Sequence, residues 1–307
     1  MQTAFVTHPS CALHDMGSYH PESPLRLAAI TDRLIAAGLL QYLDVVEAPR
    51  ATREQLERVH RPAYIDDLAA RSPREGIVHL DPDTAINPHS LEAAYHAAGA
   101  GVIATDMVVA GQAANAFCRV RPPGHHALPD RAMGFCIFNN IAVAAAHAIE
   151  RHGLERVAIV DFDVHHGNGT EAMFADDPRV MLCSTFQHPF YPYQGADSGS
   201  AHIVNVPLPA GTRGDRFRAA VVDRWLPALR AFEPRMIFIS AGFDGHREDD
   251  MAHFGLVEAD YVWVTQQVVE IAQEFAGGRI VSMLEGGYNL DALGRSATEH
   301  IRVLAGL

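Results

Sequence analysis

The sequence predicts an α/β chain: a single domain, 1–307, with a mostly parallel β-sheet covered by helices on both faces. Short apolar segments alternate with segments of helical periodicity for most of the length. The strand-like segments are apolar throughout rather than every second residue, as expected of strands buried on both faces. No repeat, low-complexity tract or Pro/Gly/Ser linker divides the chain.

Residues 3–8 read as a first strand, and 9–24 as a loop rich in His, Gly and Pro. Leu27, Ile30, Leu34 and Ile35 recur at helical spacing, and that helix stops near Gly38. Thr52 has the character of an N-cap before a short helix, and 64–71 forms another. Residues 72–90 are a long irregular stretch, and loops of that length are often functional. The Ala-rich segment 91–110, with Gly99 and Gly101, reads as a helix packed closely on a sheet. A strand over 115–120, a helix over 140–151 ending at Gly153, and strands over 157–164, 180–186 and 202–208 come next. A helix over 215–232 is kinked or ended by Pro227. The chain finishes with strand 235–243, helix 258–275, strand 279–284 and a helix over 290–304 capped by Asn289.

Composition narrows the function. The formal net charge is −13 over 307 residues, which argues against nonspecific binding to nucleic acid or an anionic membrane. No apolar run approaches the ~18–20 residues of a membrane span, and the first residues lack the pattern of a signal peptide. Cys11, Cys118, Cys136 and Cys183 are far apart, which suits free thiols in a reducing compartment, the cytoplasm being the expectation.

The most informative stretch is Val157-Ala-Ile-Val-Asp-Phe-Asp-Val-His-His-Gly-Asn-Gly-Thr170. It starts as a buried strand and ends in carboxylates, imidazoles and glycines. Side chains two apart share a face while a strand lasts, so Asp161, Asp163 and His165 are aligned to that extent. Buried charges are normally paired or bound to metal, and Asp-x-His suits a divalent cation. The plainer reading is a loop-capping Asp beside surface histidines. Three other strand ends tip the balance: His125 and His126 follow 115–120, Asp244 follows 235–243, and Glu285-Gly-Gly-Tyr288 follows 279–284. In an open parallel sheet ligands bind beyond the carboxyl ends of the strands.

Asp163, His165 and Asp244 offer three ligands and leave a position for water. His125 and His126 offer a general base and acid, with Asp161 and Asn168 as their orienting partners. Tyr288, on a Gly-Gly turn, offers a hydroxyl to a carbonyl oxygen. Together they read as metal-assisted hydrolysis of an amide or ester.

Arg121-Pro-Pro-Gly-His-His-Ala, Gly134-Phe-Cys-Ile-Phe-Asn-Asn140, Val160–Thr170, Ser240-Ala-Gly-Phe-Asp-Gly-His246 and Leu284-Glu-Gly-Gly-Tyr-Asn-Leu290 resemble, in order, the signature blocks of the zinc-dependent histone deacetylase superfamily. That group also holds acetylpolyamine amidohydrolases and acetoin-utilisation proteins. The Glu-Gly-Gly-Tyr and Gly-Asn-Gly forms are similar to its class II branch. The resemblance implies an arginase/deacetylase-like fold, with zinc on Asp163, His165 and Asp244; two Asp and one His suit ferrous iron in the cell equally. It implies His126 as general base and acid, His125 with Asp161 as an electrostatic group, and Tyr288 as the carbonyl-polarising donor. It further implies a substrate tunnel of Gly134, Phe135 and Tyr191; His20, in the stretch before Arg26, is a candidate for the rim. Structural potassium is implied near Asp161 and Ser184, and a second potassium at the carbonyls of Phe174 and Val180. The expected substrate is acetyl-lysine or another acyl-lysine, before an acetylpolyamine, because the polyamine enzymes generally carry a dimerising insertion with no obvious counterpart here. Glu22 and the acidic run Glu248-Asp-Asp250 are candidates for attracting a cationic substrate, and Arg26 for lining an internal channel. A two-metal ureohydrolase and a catalytically silent acyl-lysine or metabolite binder are the alternatives. The first needs a second Asp-rich motif, and the second should have lost a ligand or the tyrosine. Oligomeric state stays open.

Overall fold

The computed structural model describes residues 2–307. Its strands, numbered along the chain, are β1 (Thr3–Thr7), β2 (Leu43–Glu47), β3 (Val78–His79), β4 (Ala85–Ile86), β5 (Ala116–Cys118), β6 (Val157–Asp161), β7 (Val180–Gln187), β8 (Ile203–Leu208), β9 (Met236–Ala241) and β10 (Ile280–Leu284). Its helices are α1 (Leu25–Ala36), α2 (Arg53–Glu57), α3 (Pro62–Arg71), α4 (Ser90–Val109), α5 (Asn140–His152), α6 (Asn168–Phe174), α7 (Gly214–Ala220), α8 (Leu226–Phe232), α9 (Glu258–Phe275) and α10 (Leu290–Leu304).

Eight strands form one sheet in the order β2-β1-β5-β10-β9-β6-β7-β8, and every pairing in it is parallel. β3 and β4 make a separate antiparallel pair. Helices cover both faces, as two neighbours on β10 show. The Ser282 hydroxyl meets His300 of α10 at 2.8 Å, whereas Met283 lies against Gly101 of α4. Successive strand side chains point to opposite faces. α4 lies close in because Gly99 has no side chain; a Cβ there would overlap the Pro49 carbonyl.

Register places the chemistry. Asp161, the last residue of β6, pairs with Ser240 of β9 and Ser184 of β7, and Leu284 pairs with Ala241. The loops after β5, β10, β9 and β6, four adjacent strands, therefore leave the sheet side by side.

Several boundaries differ from expectation. β6 stops at Asp161 instead of running to 164, so strand alternation does not align Asp163 and His165. Side-chain turns do. The Asp161 carboxylate accepts the Asp163 N–H at 3.1 Å, and the Asp163 carboxylate accepts the His165 N–H at 2.9 Å. β5 and β9 are likewise shorter than 115–120 and 235–243. The helix over 215–232 is interrupted by a wide turn, Val221–Trp225, in which the Leu226 N–H reaches back to the Val221 carbonyl. Pro227, which lacks an N–H, follows at once. β2 was not foreseen: it is an edge strand whose Asp44, Val45 and Glu47 are exposed, so its pattern carries little apolar signal. The Thr52 and Asn289 caps form as expected.

Candidate metal centre and active site

The loops after β6 and β9 bring Asp163, His165 and Asp244 together, with ligand atoms of all three within 4.8 Å of one another. His165 Nδ1 lies 3.1 Å from Asp163 Oδ1 and 3.1 Å from Asp244 Oδ2. Both carboxylates are 1% exposed. Gly286 donates its N–H to Asp163 Oδ2 at 2.9 Å, and Val164 donates to Asp244 Oδ1 at 3.0 Å. Neither Gly242 nor Gly286 has room for a Cβ beside these oxygens. Burial, with Asp163 beside it, pushes the Asp244 carboxyl up to about 6. Burial opposes a charge on His165, yet the two carboxylates outweigh it and hold the imidazolium up to about 10. In the protein alone, one proton on His165 thus offsets two buried carboxylates. A divalent cation would replace that proton. Two carboxylates and one imidazole nitrogen form a donor set suited to a metal with open positions, and the residues fit one.

His125 and His126 lie beside this trio with ring centroids 4.0 Å apart. His125 Nδ1–H donates to Asp161 Oδ2 and His126 Nδ1–H to Asn168 Oδ1, both at 2.9 Å, which leaves each Nε2 for other work. The two rings are driven apart electrostatically. Burial disfavours a charged His125, but Asp161, Asp163 and Glu285 together hold its pKa well above the ordinary imidazole value. Burial and the charge on His125 hold His126 well below it. One imidazolium and one neutral base result. Behind them Glu285 accepts the N–H groups of Gly124 and His125 at 2.7 and 3.1 Å and the Ser240 hydroxyl at 3.1 Å. Burial raises the Glu285 carboxyl to about 7.

A cavity of about 300 Å³ opens onto these groups, lined by Asp83, His126, Gly134, Phe135, His165, Phe190, Tyr191, Met251 and Tyr288. Gly134 has φ +57°, and a Cβ there would run into the His126 ring. Tyr191 stands edge-on to His126 at 5.3 Å, and Phe190 stacks on His165 at 5.7 Å. Tyr288 is edge-on to Phe135 at 5.8 Å, with the Arg26 guanidinium 5.0 Å from its ring centre. Burial and the nearby Asp244 hold the Tyr288 hydroxyl well above its usual pKa, so it stays a donor. His20 is edge-on to Phe135 at 4.6 Å and is not among the residues that line the cavity.

Asp83, Phe190 and Met251 were missed in the sequence. Asp83 sits in the long irregular stretch 72–90 and accepts the Gly134 N–H at 3.1 Å; loop length was its one available signal. Phe190 is the neighbour of Tyr191, and Met251 had none.

One further expectation is overturned. Glu22 is fully buried and clamped by Arg121 and Arg26, so it cannot attract substrate from solvent. Of the acidic run, Asp249 is buried, Glu248 is exposed and paired with Arg295 at 2.7 Å, and Asp250 is exposed. Arg26 donates to the carbonyls of Gly287 and Glu285 at 2.6 and 2.5 Å. Ser184 lies beside Asp161 and meets His166 Nδ1 at 3.2 Å. The Phe174 carbonyl accepts from His202 Nε2 at 3.2 Å, and the Val180 N–H bonds the Asp177 carbonyl at 3.0 Å. A second cluster, Asp106 with His147 and His152, also brings its ligand atoms together. There Arg58, which can only donate, meets His147 Nδ1 at 2.8 Å. That fixes the His147 proton on Nε2, where it bonds Asp106 at 2.8 Å, and the cluster is satisfied by hydrogen bonds. All four cysteines are free and buried. Among the described residues no helix is long and apolar enough to cross a membrane.

Comparison with known proteins bears on the same residues. The histone deacetylase domain model matches residues 20–304. A histone deacetylase-like amidohydrolase of Pseudomonas aeruginosa is 42% identical over 292 residues, covering 93% of this chain and 75% of that protein. The human polyamine deacetylase HDAC10 is 35% identical over 333 residues, covering 100% of this chain and 48% of that one. The crystal structure of the HDA15 HD domain superposes with a TM-score of 0.94 at 36% identity, over 99% of this chain and 88% of that chain. Because the likeness spans nearly the whole chain, the motif-bearing strand ends included, the chain belongs to the histone deacetylase family and is a metal-dependent deacetylase.

Proposed function

We propose that the chain, acting as one catalytic domain, hydrolyses the amide of an acylated lysine side chain, acetyl-lysine above all, to the free amine and a carboxylate. The observation that carries this reading is the cavity: Phe135, Phe190, Tyr191 and Met251 wall it, and His126, His165 and Tyr288 line it too. A lysine stem is apolar, so such walls favour it.

Asp163, His165 and Asp244 would hold zinc; the same donors accept ferrous iron. When bound, the metal polarises the carbonyl and lowers the pKa of water. The protein's own groups do the rest. His126, kept neutral, takes the water proton at Nε2 and returns it to the departing amine. His125, kept charged by Asp161, offsets the negative charge that develops. Asn168 keeps the His126 tautomer. The Tyr288 hydroxyl donates to the carbonyl oxygen as it gains charge, an interaction worth about 3–4 kcal/mol in comparable sites. Gly134 lets the wall approach His126. Structural potassium is part of the proposal. One ion would use Asp161, Ser184 and the carbonyls of Asp163 and His165; another would use the carbonyls of Phe174 and Val180. Four free buried thiols support a reducing compartment, such as the cytoplasm.

A second reading, deacetylation of an acetylated polyamine, is favoured by the Asp83 carboxylate in the cavity lining, where it would meet a second ammonium group. A panel of acetyl-lysine and longer acyl-lysine peptides, acetylputrescine and acetylspermidine tests both. Acetyl-lysine peptides are expected to have the highest kcat/KM, and a higher value for the polyamines would overturn the substrate assignment. Tyr288→Phe should lose roughly 10²–10³-fold in kcat; wild-type rates would remove Tyr288 from its role.

A further inference from the structure

Tyr288 follows Gly286 and Gly287, the latter at φ +119°. The glycines are held by their own bonds, the Gly286 N–H on Asp163, the Gly286 carbonyl on the Phe243 N–H and the Gly287 carbonyl on Arg26, and the N–H of Tyr288 itself has a further hold. That hold is a carboxylate from another loop. Asp249 is 5% exposed. Its Oδ2 accepts the N–H of Tyr288 at 2.6 Å and that of Asn289 at 2.9 Å. Its Oδ1 accepts the N–H of Met251 at 3.0 Å. One buried carboxylate therefore ties the tyrosine to the cavity wall that Met251 supplies. The Asp249 loop is fixed in turn. Asn289 Nδ2 donates to the Glu248 carbonyl at 2.9 Å, and Arg295 on α10 pairs with the Glu248 carboxylate. N–H groups donating to a carboxylate make bonds roughly twice as strong as neutral ones.

We propose that Asp249 is a positioning residue for the hydrolytic step. It holds the Tyr288 main chain so that the phenol meets the substrate carbonyl as charge develops there. The inference rests on the role given to Tyr288 above. A misplacement of about 1 Å at such a group can cost on the order of 10²-fold in rate, and Asp249 acts only through that misplacement.

The test is a double-mutant cycle on the metal-loaded full chain, read as kcat and KM with a fluorogenic acetyl-lysine peptide. Asp249→Ala should lower kcat by about 10–100-fold, with KM within about threefold and metal content unchanged. Asp249→Asn keeps an oxygen for the two N–H groups and should recover most of that loss. In the Tyr288→Phe background Asp249→Ala should cost less than about twofold more, because the group it positions is gone. The same fold loss in both backgrounds would overturn the proposal, since Asp249 would then act independently of the hydroxyl. So would wild-type kcat for Asp249→Ala, or an Asn variant no better than the Ala variant. If the alanine chain does not fold, Asp249→Leu, which has the same branching but no acceptor for the two N–H groups, carries the same cycle. Tyr288→Phe at wild-type rate would instead remove the role of Tyr288, and this proposal with it.

Discussion

Gly286→Ala leaves Asp163, His165 and Asp244 themselves unchanged and tests how tightly the metal centre is built. A Cβ at 286 would stand 2.6 Å from Asp163 Oδ2 and closer still to Asp244 Oδ2. The Asp163 oxygen would have to retreat by about 0.8 Å to reach the 3.4 Å at which ordinary contact begins. Gly286 has no left-handed φ, so alanine brings no backbone strain and the whole effect falls on the two carboxylates. Metal–ligand distances hold to about ±0.2 Å, so a shift of this size removes at least one carboxylate from a shared ion. Disturbing groups that orient ligands costs about 10–100-fold in metal affinity, and displacing a ligand itself should cost no less. Overpacking should take about 1–3 kcal/mol from stability, leaving the chain folded. Competition with a chromophoric chelator measures the affinity, and circular dichroism verifies the fold. A folded Gly286→Ala chain that binds zinc as tightly as wild type would refute the proposed geometry.

Three further outcomes are expected. His126→Ala should lower kcat by roughly 10²–10⁴-fold with metal content intact; a wild-type rate would assign the base elsewhere. Asn168→Ala, which removes the acceptor of His126 Nδ1–H, should lower kcat less than His126→Ala does, and an equal or larger loss would show Asn168 doing more than orienting the ring. The third concerns His60, which is 2% exposed; its Nε2 accepts the Asn139 N–H and its Nδ1–H donates to the Leu128 carbonyl. Burial lowers its pKa to about 4. The folded pKa lies below the unfolded value of about 6.5, so the unfolded chain binds the extra proton and stability is lost as pH falls from about 6.5 to 4, by up to about 3 kcal/mol. In urea unfolding, His60→Gln should lose less stability than wild type across that window, and parallel curves would exclude the His60 contribution.

Much of the site was legible because a buried parallel strand ending in polar residues is a local pattern. Residues 157–160 and 236–239 are apolar and fully buried, so the carboxylates just past them stood out. What the one-dimensional pattern lacked was contact between distant residues. Glu22 read as an exposed acid because nothing nearby in sequence announces Arg121, its partner 99 positions away. The acidic run at 248–250 read as a candidate for attracting a cationic substrate, yet Asp249 turns inward to the Tyr288 main chain. β2 escaped notice because edge exposure blurs its apolar pattern. The end of β6 was misplaced because side-chain turns at Asp161 and Asp163, rather than sheet pairing, shape the backbone from 162 to 165.

The claim that one ion sits between Asp163, His165 and Asp244 and is required for turnover is tested most directly by metal stoichiometry with reconstitution. Chelator-treated protein should be inactive on an acetyl-lysine peptide and regain full activity at one zinc per chain, while Asp244→Ala should neither retain the ion nor recover. Full turnover by metal-free protein, or one zinc per chain held as tightly by Asp244→Ala as by wild type, would contradict it.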